Sequence, residues 1–196
     1  MNLLGTSMEE ERSHFKYYIV KLCLFVVLAV LVIIFREQNV THLKYFIGGL
    51  MLLYGLEEIL FEILHSRKHI FHQDKLYLGF IELVLGVCLL TIKISYEGVC
   101  VIWATWSILR ESYEIKEVMT ELKCLVPKII SGLESLVVIV FSILLICEPT
   151  EHHALIHLYL LMVELPLSPL TPLLDELLVH HKSKQNEKER DNQSQD

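Results

Sequence analysis

The sequence predicts an all-α fold: a polytopic membrane helix bundle of about six transmembrane helices in three hairpins, with both termini in the cytoplasm. Three observations predict it. The chain is 53% hydrophobic with a mean hydropathy of +0.47, too apolar for a soluble domain of 196 residues. Apolar runs approaching the ~20 residues needed to cross a hydrocarbon core recur along it. Six spans also sort the positive residues by side. Twelve Lys and Arg, among them Arg67, Lys68, Lys123 and Lys188, fall on one side, and only Arg36, Lys44 and Lys93 on the other. Positive residues collect in the cytoplasm, so the first side is the inner one.

Residues 1–16 form a polar segment, and residues 17–179 the transmembrane domain. The first span, Tyr17–Phe35 (YYIVKLCLFVVLAVLVIIF), has no small-residue cleavage site behind it and reads as a retained anchor. The second is Thr41–Leu64, with Thr41 as its N-cap. The third is Leu76–Ile94. In the fourth, Gly98–Val118, only GVCVIWATWSIL precedes Arg110, and the charge count is what requires it to span. The fifth is Lys128–Cys147. The sixth, His153–Leu178, carries Pro166, Pro169 and Pro172, each of which removes a backbone donor. It is expected to kink near the cytoplasmic face or to break and line a cavity. Residues 180–196 are polar, lack aromatics and read as a disordered cytoplasmic tail.

Moving the numbering on by 56 lays the first hairpin on the second, with Leu53 on Leu109, Glu58 on Glu114 and Ile59 on Ile115. The third hairpin fits less regularly: Glu82 falls on Glu134 with a shift of 52, and matching helix lengths needs about 55.

The net charge is −7 and no basic stripe is present, which argues against a nucleic-acid partner. The five cysteines, Cys23, Cys88, Cys100, Cys124 and Cys147, lie in or beside apolar runs and read as free buried thiols. Trp103 and Trp106, with Tyr45 and Tyr77, read as interfacial anchors.

The candidate site comes from the ionisable residues inside the spans. Glu57, Glu58, Glu62 and His65 sit in the inner half of the second helix, Arg110 and Glu114 in the fourth, and Glu164 in the sixth. Arg110 lies about 12 Å and Glu58 about 10 Å from the inner boundary at a rise of 1.5 Å per residue. A charge near mid-membrane costs about 2.5 kcal/mol or more, so Arg110 must face protein or water. Its expected partner is Glu58, Glu164 or Glu114. The network either holds the helices together or forms a cytoplasm-facing acidic cleft for a proton or small solute.

Other chemistry leaves weaker traces. Glu57-Glu58-Ile-Leu-Phe-Glu62 resembles the EExxxR stretch of prenyl-endopeptidase-like glutamate intramembrane proteases, and Phe61–His65 matches their FxxxH. Position 62 is Glu where that family has Arg, and no second helix supplies FxxxH followed by HxxxN. Glu62-Ile-Leu-His65 has the ExxH spacing of di-iron bundles without the second such motif in a span. His65, His69 and His72 read as an interfacial cluster. His153 and His157 have the i,i+4 spacing of a zinc-binding pair or of a wet helix end. No cofactor box, phosphate loop or nucleophile elbow occurs, so no catalytic residue, cofactor or resident metal is expected.

The stretches FIGGLMLLYGLEEI, YLGFIELVLGVCLLTI, VIWATWSILRESYEI and IISGLESLVVIVFSILLI resemble the HdeD-like family of small six-span bacterial membrane proteins built from two-helix repeats. The resemblance covers most of Tyr45–Ile146 and departs in the proline-rich third hairpin. It implies a non-enzymatic protein of the bacterial inner membrane, associated with acid-stress resistance, surrounded by lipid bilayer. A homo-oligomer or a second membrane protein would be its partner. The alternatives are an intramembrane glutamate-type hydrolase using Glu57, Glu58 and His65, and a structural partner subunit.

Overall fold

The computed structural model describes residues 3–65 and 73–193. Among them all regular elements are helices: α1 (Leu3–Ile34), α2 (Arg36–Thr41), α3 (Leu43–His65), α4 (Gln73–Thr91), α5 (Tyr96–Glu121), α6 (Leu125–Cys147) and α7 (Glu151–Gln193). The all-α class is therefore observed. Two helical stretches, Leu125–Cys147 and Glu151–Lys182, are long and apolar enough to cross a membrane, and Tyr18–Ile34 is a shorter apolar one. The helices α3, α4 and α5 overlap the second, third and fourth expected spans and run unbroken through Glu58, Glu82 and Arg110, but are not among the helices apolar enough over a spanning length.

Several boundaries differ from the sequence expectation. The residues between the first two expected spans, REQNV, are helical and make up most of α2. Thr41 ends that helix, and its hydroxyl donates back to the Glu37 carbonyl at 2.9 Å instead of capping α3. Caps of this kind are Ser95, whose hydroxyl accepts the Gly98 N–H at 3.2 Å at the start of α5, and Thr150, whose hydroxyl accepts the His153 N–H at 3.3 Å at the start of α7. Helix α7 runs as one element through Pro166, Pro169 and Pro172 and on to Gln193, past position 179. Its polar end is rich in Lys, Gln and Glu, which are good helix formers.

The chain divides into two compact units. One comprises Met1–Ile34, Ser112–Val137 and Tyr159–Asp196, and the other Phe35–Glu111 and Val138–Leu158. The second unit holds the α3–α4 hairpin. Gly55 and Gly79 face each other there: a Cβ on Gly55 would lie 2.6 Å from the Gly79 carbonyl oxygen. One level along, a Cβ on Gly86 would lie 2.9 Å from the Gly48 carbonyl oxygen. A pair of glycines on each helix thus lets two antiparallel backbones touch, the small-residue contact that membrane helices favour.

In the first unit, Phe25, Ala29 and Val32 form the buried stripe of α1. Asp175 of α7 receives the backbone N–H groups of Lys123 (3.1 Å) and Cys124 (2.6 Å), the donors of the turn leading into α6. Burial, and then the Asp175 carboxylate, raise the Cys124 thiol above the ordinary thiol range. The five cysteines are free, but only Cys100 is buried; Cys23 and Cys147 are exposed.

The buried positions repeat. Leu43, Ile47, Leu50, Met51 and Tyr54 of α3 are buried, and so, at the same shift of 56, are Val99, Trp103, Trp106, Ser107 and Arg110 of α5. The stripe of α4 (Gly79, Glu82, Gly86, Leu89) recurs in α6, again shifted by 56, as Ser135, Val138, Ser142 and Leu145. That of α5 recurs in α7 at a shift of 54, with Cys100 on Ala154 and Trp103 on His157. Burial thus aligns the third hairpin at shifts of 56 and 54. The shift of 52 chosen to superpose Glu82 on Glu134 put a like residue type ahead of a like environment.

Candidate functional site

Helical spacing assembles the site in the second unit. Tyr54 and Glu58 are four residues apart on α3, and Trp106 and Arg110 four apart on α5, so each pair shares a face. Glu82 stands three residues after Gly79 on α4, and a Cβ at position 79 would lie 3.3 Å from the Cβ of Glu58. The glycine contact therefore brings Glu82 and Glu58 to one level.

Arg110 is the centre. Its Nη1 donates to Glu82 Oε1 at 2.8 Å and lies 3.6 Å from Glu58 Oε1. Its guanidinium carbon sits 3.7 Å from the centre of the Tyr54 ring, a cation–π contact. Trp106 Nε1 donates to the same Glu82 oxygen at 3.0 Å, and its ring lies 5.8 Å from that of Tyr54. Glu82 is fully buried and Arg110 is 7% exposed. A buried charge must be paired and hydrogen-bonded to be tolerated, and Arg110 meets both conditions. The arrangement clamps three helices at one point.

The expected residues divide as follows. Glu58 and Arg110 come together. Glu57 is half-buried on α3. The side chains of Glu62 and His65, and those of His69 and His72, lie outside the described residues. Glu114 and Glu164 belong to the other unit, where Glu164 is buried and has a carboxylate oxygen within 4.8 Å of one of Glu134. Of the expected cleft residues, Glu58 and Arg110 thus meet at a node that also takes in Glu82, because the glycine-to-glycine approach delivers a carboxylate from α4.

Sequence reasoning missed Glu82, Tyr54 and Trp106 as parts of this node. The available signals were the lone carboxylate inside the apolar core of α4 and the i,i+4 spacing of Trp106 and Arg110. Trp103 and Trp106 are buried rather than interfacial, at 0% and 2% exposure. Each has its face taken by a partner, Trp103 by His157 (ring centres 4.6 Å apart) and Trp106 by Tyr54. His153 and His157 do not converge as a zinc pair. The former bonds through Nδ1 with the Glu148 carbonyl (2.8 Å), the latter through Nε2 with the Ser142 hydroxyl (2.8 Å).

No family model, curated protein or solved structure matches this chain.

Proposed function

We propose that the chain is a non-enzymatic, multi-pass protein of a cell membrane, and that the Arg110 node is the clasp of a helical scaffold. One observation carries the membrane reading: α6 buries three serines and exposes a long apolar face. On α6, Ser131, Ser135 and Ser142 are buried while Ile129, Leu133, Leu136, Val140 and Ile143 are exposed. The apolar surface of α6 extends from Leu125 to Ile146, about 33 Å at 1.5 Å per residue. That matches a hydrocarbon core of about 30 Å. Exposed leucines, isoleucines and valines recur on α1, α3 and α4, and such a surface suits lipid rather than water.

Six spans with both termini in the cytoplasm, as in the HdeD-like family that the sequence resembles, complete this proposal. The clasp accounts for Glu58 without hydrolytic chemistry, since its carboxylate faces a guanidinium. A second reading, a route for protons or small solutes, is favoured by the approach of Glu134 and Glu164.

Two measurements test these readings. In a cysteine-free background, Ser95→Cys and Ser183→Cys are separated by α5, α6 and α7. A membrane-impermeant maleimide applied to whole cells is expected to label only the former. Labelling of both, or release of the protein by alkaline carbonate, would sink the topology. Proton flux in vesicles that falls with Glu164→Gln would move the function to the second reading.

A further inference from the structure

A second polar cluster lies in the same unit and takes no part in the clasp. His157 of α7 is 1% exposed. Its Nε2 meets Ser142 Oγ of α6 at 2.8 Å, and its ring packs at 4.6 Å and 54° on Trp103 of α5. Its Nδ1 is buried and has no hydrogen-bond partner among the described residues. The ring's aromatic contact and hydrogen bond thus come from α5 and α6. The former presents Trp103, with the buried thiol of Cys100 one turn back, and the latter presents the neutral Ser142 hydroxyl. On α7 itself, His153 lies one turn before and is held by Glu148. Among the described residues no carboxylate contacts the His157 ring.

A neutral imidazole suits this setting. With its proton on Nε2 it donates to Ser142 and leaves a bare acceptor on Nδ1. An imidazolium has two N–H donors. The hydroxyl oxygen can accept one, and the second would be buried with neither an acceptor nor a counter-ion. We propose that His157 is a proton-operated latch: taking up a proton at Nδ1 loosens α7 from α5 and α6. The proton adds to the ring lone pair and no other bond changes. The sign follows directly. The contact is intact while His157 is neutral, and is weakened as the pH falls through the range in which histidine charges.

The latch rests on the packing of these three helices, not on the membrane reading, so each can fail without the other. The full chain in detergent micelles carries Trp106→Phe, so that Trp103 is the remaining tryptophan. Indole emission and Tm are followed from about pH 8 to about pH 4, which covers exposed and buried histidines alike. A charged imidazole in contact quenches indole. Emission is therefore expected to drop in one transition, with Tm falling by about 4 °C. His157→Gln is expected to remove the emission transition and flatten Tm over that range. The same transition in His157→Gln, or none with His157 present, overturns the latch. If Trp106→Phe does not fold, near-ultraviolet dichroism and Tm of the Trp106 protein with and without His157→Gln decide the same question.

Discussion

At the scale of residues, Arg110 is where the sequence asks a question that only partners can answer. An arginine inside an apolar run must be paired, and the sequence offers several acids. The structure selects Glu82 at 2.8 Å, with Glu58 second at 3.6 Å. Removing one member of a buried pair leaves an uncompensated charge. Arg110→Leu and Glu82→Gln are each expected to cost stability, the former by about 3–5 kcal/mol. The double variant should recover part of that loss in a double-mutant cycle read by thermal or denaturant unfolding. Purely additive losses would mean that the pair is not coupled. Asp175 gives a second prediction. Because burial and its carboxylate hold the Cys124 thiol up, that thiol is mostly protonated and slow near neutral pH. Asp175→Asn removes the charge and loosens the turn. Maleimide labelling of a protein with Cys124 as its single cysteine should then speed up, and an unchanged rate would refute the role of Asp175.

At the scale of elements, the hairpin α3–α4 depends on atoms that are missing. Gly55→Ala places a methyl carbon 2.6 Å from a backbone oxygen, which a backbone cannot easily yield. Overpacking of this kind costs about 1–3 kcal/mol. Gly49→Ala and Gly132→Ala, where a Cβ meets nothing within 4 Å, should be neutral or stabilising, and Tm of the three variants checks the contrast. Comparable gains in all three would mean that helix propensity, not contact, governs. Ser95→Ala should cost about 1 kcal/mol as the loss of an N-cap. The repeat also belongs to this scale. Two pairs of residues at equivalent repeat positions, Tyr54 with Arg110 and Trp103 with His157, are in contact, so α3, α5 and the start of α7 turn the same face to one another. The sequence made the first two hairpins legible because their charges and leucines coincide. It hid the third, because burial is kept there while residue types change, Trp103 giving way to His157.

At the scale of the whole molecule, the composition already carried the argument. An apolar fraction of 53% with polar groups such as Glu82, Arg110 and His157 buried is the pattern behind the proposed membrane location. The opposite labelling of positions 95 and 183 is the prediction that belongs here, since it reads the number of crossings between them. By itself, the sequence determined the all-α class, the position of nearly every helix and the presence of a charge that must be paired. Those follow from local quantities: hydropathy, helical period and the cost of an isolated ion. Only the tertiary structure decided that Glu82 and Glu58 meet Arg110, that the tryptophans are interior, and that His157 bonds with Ser142. Each of these is set by the level at which two helices cross. For Arg110 that level depends on a backbone approach between Gly55 and Gly79, which lie on different helices, and no local pattern encodes it.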